Sequence, residues 1–119
     1  MDINMQDRRG GSPLHWACHS NAEMALSYIL ALKPNINLQD IDGFTPLHLA
    51  VKAVDSLQST RCVRYLLLHG ARNDIKDKRG KVPVDYVKSE VMTRELQSEL
   101  LRMLVSKFFM RCFRDHQGN

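Results

Sequence analysis

The feature that most constrains this chain is an internal repeat. Residues 7–17 read Asp-Arg-Arg-Gly-Gly-Ser-Pro-Leu-His-Trp-Ala, and residues 40–50 read Asp-Ile-Asp-Gly-Phe-Thr-Pro-Leu-His-Leu-Ala. Asp7/Asp40, Gly10/Gly43, Pro13/Pro46, Leu14/Leu47, His15/His48 and Ala17/Ala50 all match at one offset, 33 residues. Asp2-Ile3-Asn4-Met5-Gln6 parallels Asn35-Ile36-Asn37-Leu38-Gln39 at the same offset. A weaker third copy, Asp-Lys-Arg-Gly-Lys-Val-Pro-Val-Asp, starts at Asp77. Gly43 and Gly80 are 37 residues apart, one period plus four. The extra residues fall near residues 54–60, because Gly70-Ala71 is back in phase. Units this short cannot bury an apolar face alone, so they have to stack into an array with a continuous core.

Each unit carries the same local chemistry. Asp-x-x-Gly is a turn in which glycine supplies the positive φ. Ser12-Pro13 and Thr45-Pro46 set an N-cap hydroxyl before a proline at the first helical position. They predict short helices over residues 13–20 and 46–53. Second helices are predicted over residues 22–32, with Leu26, Ile29 and Leu30 at helical spacing, and over residues 61–69, with Cys62, Val63, Leu66 and Leu67. Gly70 should end the later one as a left-handed C-cap. In the first unit Lys33-Pro34 stands at that point, and the proline is expected to stop the helix. In the third copy Asp85 replaces the box histidine, and Met92, Leu96, Leu100, Leu104 and Phe108 recur every four residues, flanked by Leu101, Val105 and Phe109. That pattern reads as one apolar stripe on a long helix, with Thr93, Arg94, Glu95, Gln97, Ser98, Glu99 and Arg102 on its polar face, as a terminal cap requires.

The Ser/Thr-Pro-Leu-His-x-Ala boxes, their period, and Leu66-Leu67-Leu68-His69-Gly70-Ala71 resemble the ankyrin repeat over about residues 2–105. The resemblance implies an all-α ankyrin repeat solenoid of stacked helix-turn-helix units with projecting hairpin finger loops. It divides the chain into the tail of a preceding repeat (2–6), a repeat (7–39), a repeat with a four-residue insertion (40–76), a C-terminal capping repeat (77–106) and a basic-apolar tail (107–119). Residues 2–6 look like the end of a unit whose helices are absent, so the chain is expected to be a piece of a longer protein with repeats upstream. In this family the box histidines, here His15 and His48, hydrogen-bond locally and hold neighbouring turns together.

A finer resemblance rests on Thr45-Pro46-Leu47-His48-Leu49-Ala50-Val51-Lys52, on residues 59–67, and on Asp74-Ile75-Lys76-Asp77 with Gly80-Lys81-Val82-Pro83-Val84-Asp85-Tyr86. These look like the last repeats of ankyrin-bearing DHHC palmitoyltransferases, whose repeats lie on the cytosolic side and recruit substrate proteins. The Cys-rich catalytic domain of that family is absent from these residues, and Asp115-His116 runs on to Gln117. The expectation is a non-catalytic protein–protein interaction module, cytoplasmic, recruiting partners or substrates as the cytosolic region of a larger protein. The alternatives are the regulatory N-terminal part of a palmitoyltransferase and a soluble ankyrin scaffold or regulator.

Other chemistry finds little support. His15, Cys18 and His19 have metal-like spacing, but the box role of His15 and a small buried residue at Cys18 account for them without zinc. The histidines, cysteines and carboxylates form no nucleophile–base set, and Gly10-Gly11 lies in a turn and not in a phosphate loop. No cofactor is expected. Three cysteines make no disulfide framework, which favours a reducing compartment. The N-terminus lacks the basic start and apolar stretch of a signal peptide. No apolar run reaches the roughly 18 residues of a membrane helix. The tail, with Phe108, Phe109, Met110, Cys112 and Phe113 among Lys107, Arg111 and Arg114, leaves two readings open: a segment that approaches a membrane interface, or a helix whose packing partner lies elsewhere.

Charge then narrows the partner. The formal net charge is +4, too weak for a nucleic-acid binder, and the basic residues are not interleaved with stacking aromatics. Residues 61–88 hold eight basic and three acidic side chains, a net +5, so the rest of the chain is near neutral. Repeat arrays bind on their concave side, through finger tips and the exposed face of the first helix. The positions expected to meet a partner are Arg8, Arg9, His19, Ile41, Asp42, Phe44, Lys52, Lys78, Arg79 and Lys81. Ile41 and Phe44 place apolar groups at one finger where burial offers no obvious reason for them. The expected partner is a protein or extended peptide, acidic or mixed, with an apolar anchor near Phe44; a membrane enters only through the parent protein or the tail.

Overall fold

The computed structural model describes residues 3–20, 22–57, 59–87 and 93–105. Those residues form five α-helices and no strand: α1 (Pro13–His19), α2 (Glu23–Ala31), α3 (Pro46–Leu57), α4 (Arg61–Leu68) and α5 (Arg94–Val105), with a 3-10 turn at Pro83–Tyr86 between α4 and α5. Helices α1 and α2 pair, as do α3 and α4, and the pairs stack with α1 on α3 and α2 on α4. The fold is all-α and repetitive.

The period in the sequence becomes the period of the core. Leu14, Ala17 and Cys18 of α1 are buried, and so are Leu47, Ala50 and Val51 of α3, 33 residues on. Leu26 and Leu30 of α2 are buried, as are Val63 and Leu67 of α4, 37 residues on. Each buried leucine or valine contributes on the order of 2 kcal/mol from area removed from water, which no single pair could collect without a neighbour. Arg61 adds an ion pair to Glu23 at 3.5 Å, exposed and therefore a minor contribution.

The insertion lengthens α3. It has 12 residues where α1 has 7, so it runs past residue 53, the predicted end, to Leu57. About one extra turn of helix takes up the added residues. The third unit departs the other way: its first helix contracts to the 3-10 turn. In α5, Leu100, Met103 and Leu104 are buried and Leu96 is half-buried, but Leu101 and Val105 are exposed. The two flanking residues therefore do not belong to the stripe. At about 100° per residue, Met103 falls on the same side as Leu100 and Leu104, while Leu101 and Val105 rotate away. Met92, Phe108, Phe109 and the whole segment 107–119 lie outside the described residues.

Helix α2 stops just ahead of Pro34, which has no N–H to continue it. It ends at Ala31, and Lys33 takes φ 55°, the left-handed region that Gly70 occupies after α4 at φ 91°. A side chain there costs about 1 kcal/mol relative to glycine. Lys33→Gly should therefore raise stability by about 1 kcal/mol and Tm by roughly 4–8 °C, read by urea and thermal melts. An unchanged or lower stability would contradict this account of the α2 terminus.

The fingers give a second test. A Cβ on Gly43 would lie 2.7 Å from the backbone nitrogen of Lys78 in the next finger, whereas a Cβ on Gly80 would meet nothing within 4 Å. Both glycines have φ near 80°. Gly80→Ala should cost about 1 kcal/mol from the left-handed conformation alone. Gly43→Ala should cost at least roughly 2 kcal/mol, because the next finger must also move. Equal losses in paired urea melts would show that finger contact contributes nothing.

Candidate functional site

The finger-side surface is built from one aspartate per unit. Oδ1 of Asp7 accepts the backbone N–H groups of Arg9 and Gly11, that of Asp40 those of Asp42 and Phe44, and that of Asp77 those of Arg79 and Lys81, at 2.9–3.0 Å. The fingers then join edge to edge. Ile41 N–H donates to the Arg9 carbonyl at 2.7 Å, and Lys78 N–H donates to the Asp42 carbonyl at 3.1 Å. Gln6 Nε2 bridges the Gly10 and Gln39 carbonyls, and Gln39 Nε2 bridges those of Gly43 and Lys76.

The box histidines tie helices to fingers. Thr45 N–H donates to His48 Nδ1 at 3.1 Å, so that nitrogen is an acceptor. His48 Nε2 lies 3.0 Å from the Lys81 carbonyl and must therefore carry the proton. His15 repeats the arrangement with Ser12 N–H at 3.1 Å and the Phe44 carbonyl at 2.9 Å. In the third unit Asp85 Oδ2 accepts Val82 N–H at 2.9 Å, which reproduces the acceptor half of the histidine's role.

The residue after the box histidine decides what each finger aspartate does with its second oxygen. Trp16 Nε1 donates to Asp7 Oδ2 at 2.9 Å, and the Tyr86 hydroxyl donates to Asp77 Oδ2. The Gly11 amide and the Trp16 indole hold the Asp7 carboxyl below its ordinary range. Burial works against ionisation at Asp77, but the Tyr86 hydroxyl and the Lys81 and Arg79 amides still keep its pKa low. Burial, together with the Asp77 carboxylate, pushes Tyr86 up to about 12. In the middle unit the corresponding residue is Leu49, which has no donor, and Asp40 Oδ2 accepts nothing from a described residue.

Two regions with different chemistry follow. Between the first and second fingers lies a groove of about 230 Å³ whose lining includes Asp7, Arg9, Trp16, Asp40, Asp42 and Leu49, together with His19 and Phe44. Trp16 is 58% exposed. Toward the third finger, Phe44 packs on His48 at 5.7 Å and edge-on to Tyr86 at 5.9 Å. Lys52 Nζ stands 4.2 Å over the Phe44 ring, and Lys81 Nζ 5.6 Å over Tyr86.

The expected site residues thus divide. Arg9, His19, Asp42 and Phe44 meet at the groove. Lys52 and Lys81 surround the aromatic cluster, and Lys78 and Arg79 are exposed on the third finger. Ile41 is 54% exposed at its tip, and Arg8 is exposed without lining the groove. Phe44 is half-buried, so burial does explain it: His48, Tyr86 and the Lys52 ammonium surround the ring. Sequence reasoning missed Asp40 and Leu49, and only comparing Trp16, Leu49 and Tyr86 as one register position would have found them. The metal-like trio does not converge. Both ring nitrogens of His15 are engaged, Cys18 is fully buried with burial pushing its thiol pKa well up, and His19 is exposed.

Comparison with known proteins agrees with this architecture. Residues 1–77 match the family model for ankyrin repeats (3 copies). The SMC5-SMC6 complex localization factor protein 1 of Bos taurus is 34% identical over 99 residues, 81% of this chain and 9% of that protein, and the Homo sapiens protein matches equally. Palmitoyltransferase AKR1 of Saccharomyces cerevisiae is 30% identical over 82 residues, 68% of this chain and 10% of that protein. It carries the finer resemblance to ankyrin-bearing palmitoyltransferases. The chain therefore spans about a tenth of the length of these relatives.

His48 makes the site sensitive to acid. Burial lowers its pKa from the ordinary 6.5, against the raising effects of the Lys81 carbonyl and the Asp77 and Asp40 charges. The native state then binds fewer protons than the unfolded state below about pH 6.5. Stability should be full above that pH and decline as pH falls toward the depressed native value. Urea melts between pH 7.5 and 5 check the slope, and an NMR titration of His48 with a midpoint above 6.5 would reverse its sign.

Proposed function

This chain belongs to the ankyrin-repeat family, and we propose that it is a non-catalytic protein-binding module whose finger-side surface takes an extended segment of a partner protein. Ankyrin repeats are protein-interaction modules, and the remaining question is what this surface selects. One observation carries the reading: Lys52, Lys78, Arg79 and Lys81 gather around the third finger and no described carboxylate forms an ion pair with any of them. Cations gathered without internal partners favour an acidic stretch on the other side, with arginine able to grip a carboxylate in two places. The exposed Ile41 and the edge of Phe44 offer an apolar contact next to them.

The name of the mammalian relatives, a complex localization factor, fits a module that brings proteins together. The yeast relative favours a second reading, in which the module recruits substrates as the cytosolic region of a palmitoyltransferase. Among the described residues no helix is long and apolar enough to cross a membrane. The open reading frame beyond Asn119 separates the two: a Cys-rich DHHC box and apolar segments of about 20 residues support the second reading, and further repeats without them support a scaffold or regulator.

Phage display of random extended peptides against the chain tests the main reading. Selected sequences should be rich in Asp and Glu with one apolar residue. Their affinity should fall at least tenfold, about 1.4 kcal/mol, when Lys78→Glu and Arg79→Glu are combined, with melting unchanged. Enrichment of sequences without acidic residues, or affinity unmoved by the double substitution, would falsify it.

A further inference from the structure

The groove between the first and second fingers has the opposite chemistry from the third finger. Asp7, Asp40 and Asp42 line it against the single cation Arg9, whose guanidinium makes no ion pair with a described residue. Its exposed wall is the indole of Trp16, fixed in place by the bond from Nε1 to Asp7. At about 230 Å³ it is smaller than the roughly 300–1,000 Å³ of small-molecule sites and suits one inserted side chain. The register position filled by Trp16 and Tyr86 in the flanking units is Leu49 here, so the donor that satisfies Asp7 and Asp77 is missing opposite Asp40. An aromatic wall, an aspartate oxygen without its usual donor and a second carboxylate at the rim thus converge on one opening.

We infer that this groove binds an arginine side chain of the partner segment, with its guanidinium stacked on Trp16 and forked toward Asp40 and Asp42. The planar guanidinium meets both demands, since it stacks on aromatic faces and donates in parallel to carboxylates. A lysine ammonium is a compact, strongly hydrated point charge and fits less well. The inference rests on the reading that this surface receives an extended partner, and it adds that the segment carries a basic residue toward the first finger and acidic residues toward the third.

Trp16 is the only tryptophan in the chain, so its fluorescence reports on the groove directly. The probes are the blocked tripeptides acetyl-Gly-Arg-Gly-amide, acetyl-Gly-Lys-Gly-amide and acetyl-Gly-Glu-Gly-amide, titrated into the full chain. The arginine peptide should shift Trp16 emission saturably with a roughly millimolar Kd, the lysine peptide more weakly and the glutamate peptide not at all. Asp42→Asn should weaken the arginine response severalfold, and Arg9→Gln, which removes the competing cation, should strengthen it. Leu49→Tyr places the missing donor opposite Asp40, as Tyr86 sits opposite Asp77, and should abolish the response while the protein melts no lower than the parent. Should that variant melt lower, Asp40→Asn replaces it and should weaken the arginine response severalfold. An equal response to the glutamate peptide, no saturable response to arginine, or an arginine response indifferent to the groove substitutions overturns the inference. These probes carry one charge and never reach the third finger, so their failure leaves the acidic-segment result standing, and failure of the display experiment leaves this one standing.

Discussion

The hydrogen bond from a box histidine to the next finger's carbonyl is the contact on which the array depends. Stacked helix pairs could slide against one another on apolar contact alone, because the hydrophobic effect has no direction. His15 and His48 prevent this. One ring nitrogen accepts from the N-cap residue of its own helix and the other donates to the finger of the following unit. A neutral imidazole is suited to this because it accepts at one end and donates at the other across a rigid ring. Asp85 shows the same logic at the third unit, where no described finger follows. Only the acceptor half is needed there, and a carboxylate provides it.

The insertion shows how firmly that bond is held. His15 reaches a carbonyl 29 residues ahead, and His48 reaches the equivalent carbonyl 33 residues ahead. The difference is the four added residues. Had they entered the finger, the histidine would have missed its acceptor, and within the second helix they would have turned the apolar face of α4 by about 40°. They enter around the end of α3, where about one more turn leaves the face already set by Leu47, Ala50 and Val51 in place. The tolerated site is therefore the one that neither the histidine bridge nor the finger row uses.

What was legible in the sequence follows from which constraints are local. The turn aspartates and glycines, the N-cap hydroxyls and the box histidines act within a few residues, so their spelling gave the fold and its period. Leu101 and Val105 were misread because a spacing of four alone does not fix which neighbour shares the buried side; Met103 takes that place through packing. Phe44 looked unexplained because its partners, Tyr86 and Lys52, come from the next unit and from the far end of its own box. The groove was invisible for a subtler reason. Trp16, Leu49 and Tyr86 occupy one position, but their meaning lies in the second oxygen of an aspartate nine residues earlier, which only the folded finger brings into reach.

Opposite charge at the two ends of one surface has a consequence for selection. A uniformly acidic segment would suit the cations of the third finger but meet Asp7, Asp40 and Asp42 at the first, and a uniformly basic one would meet the reverse. Repulsion at one end weakens both relative to a segment that carries each sign in its place. On the proposed reading, only a segment whose charge changes sign along its length satisfies both ends, and it does so in one direction. An antiparallel placement would set its basic residue against Lys52 and Lys81. The surface would then fix the polarity of its partner as well as its composition, although the three fingers share one backbone turn.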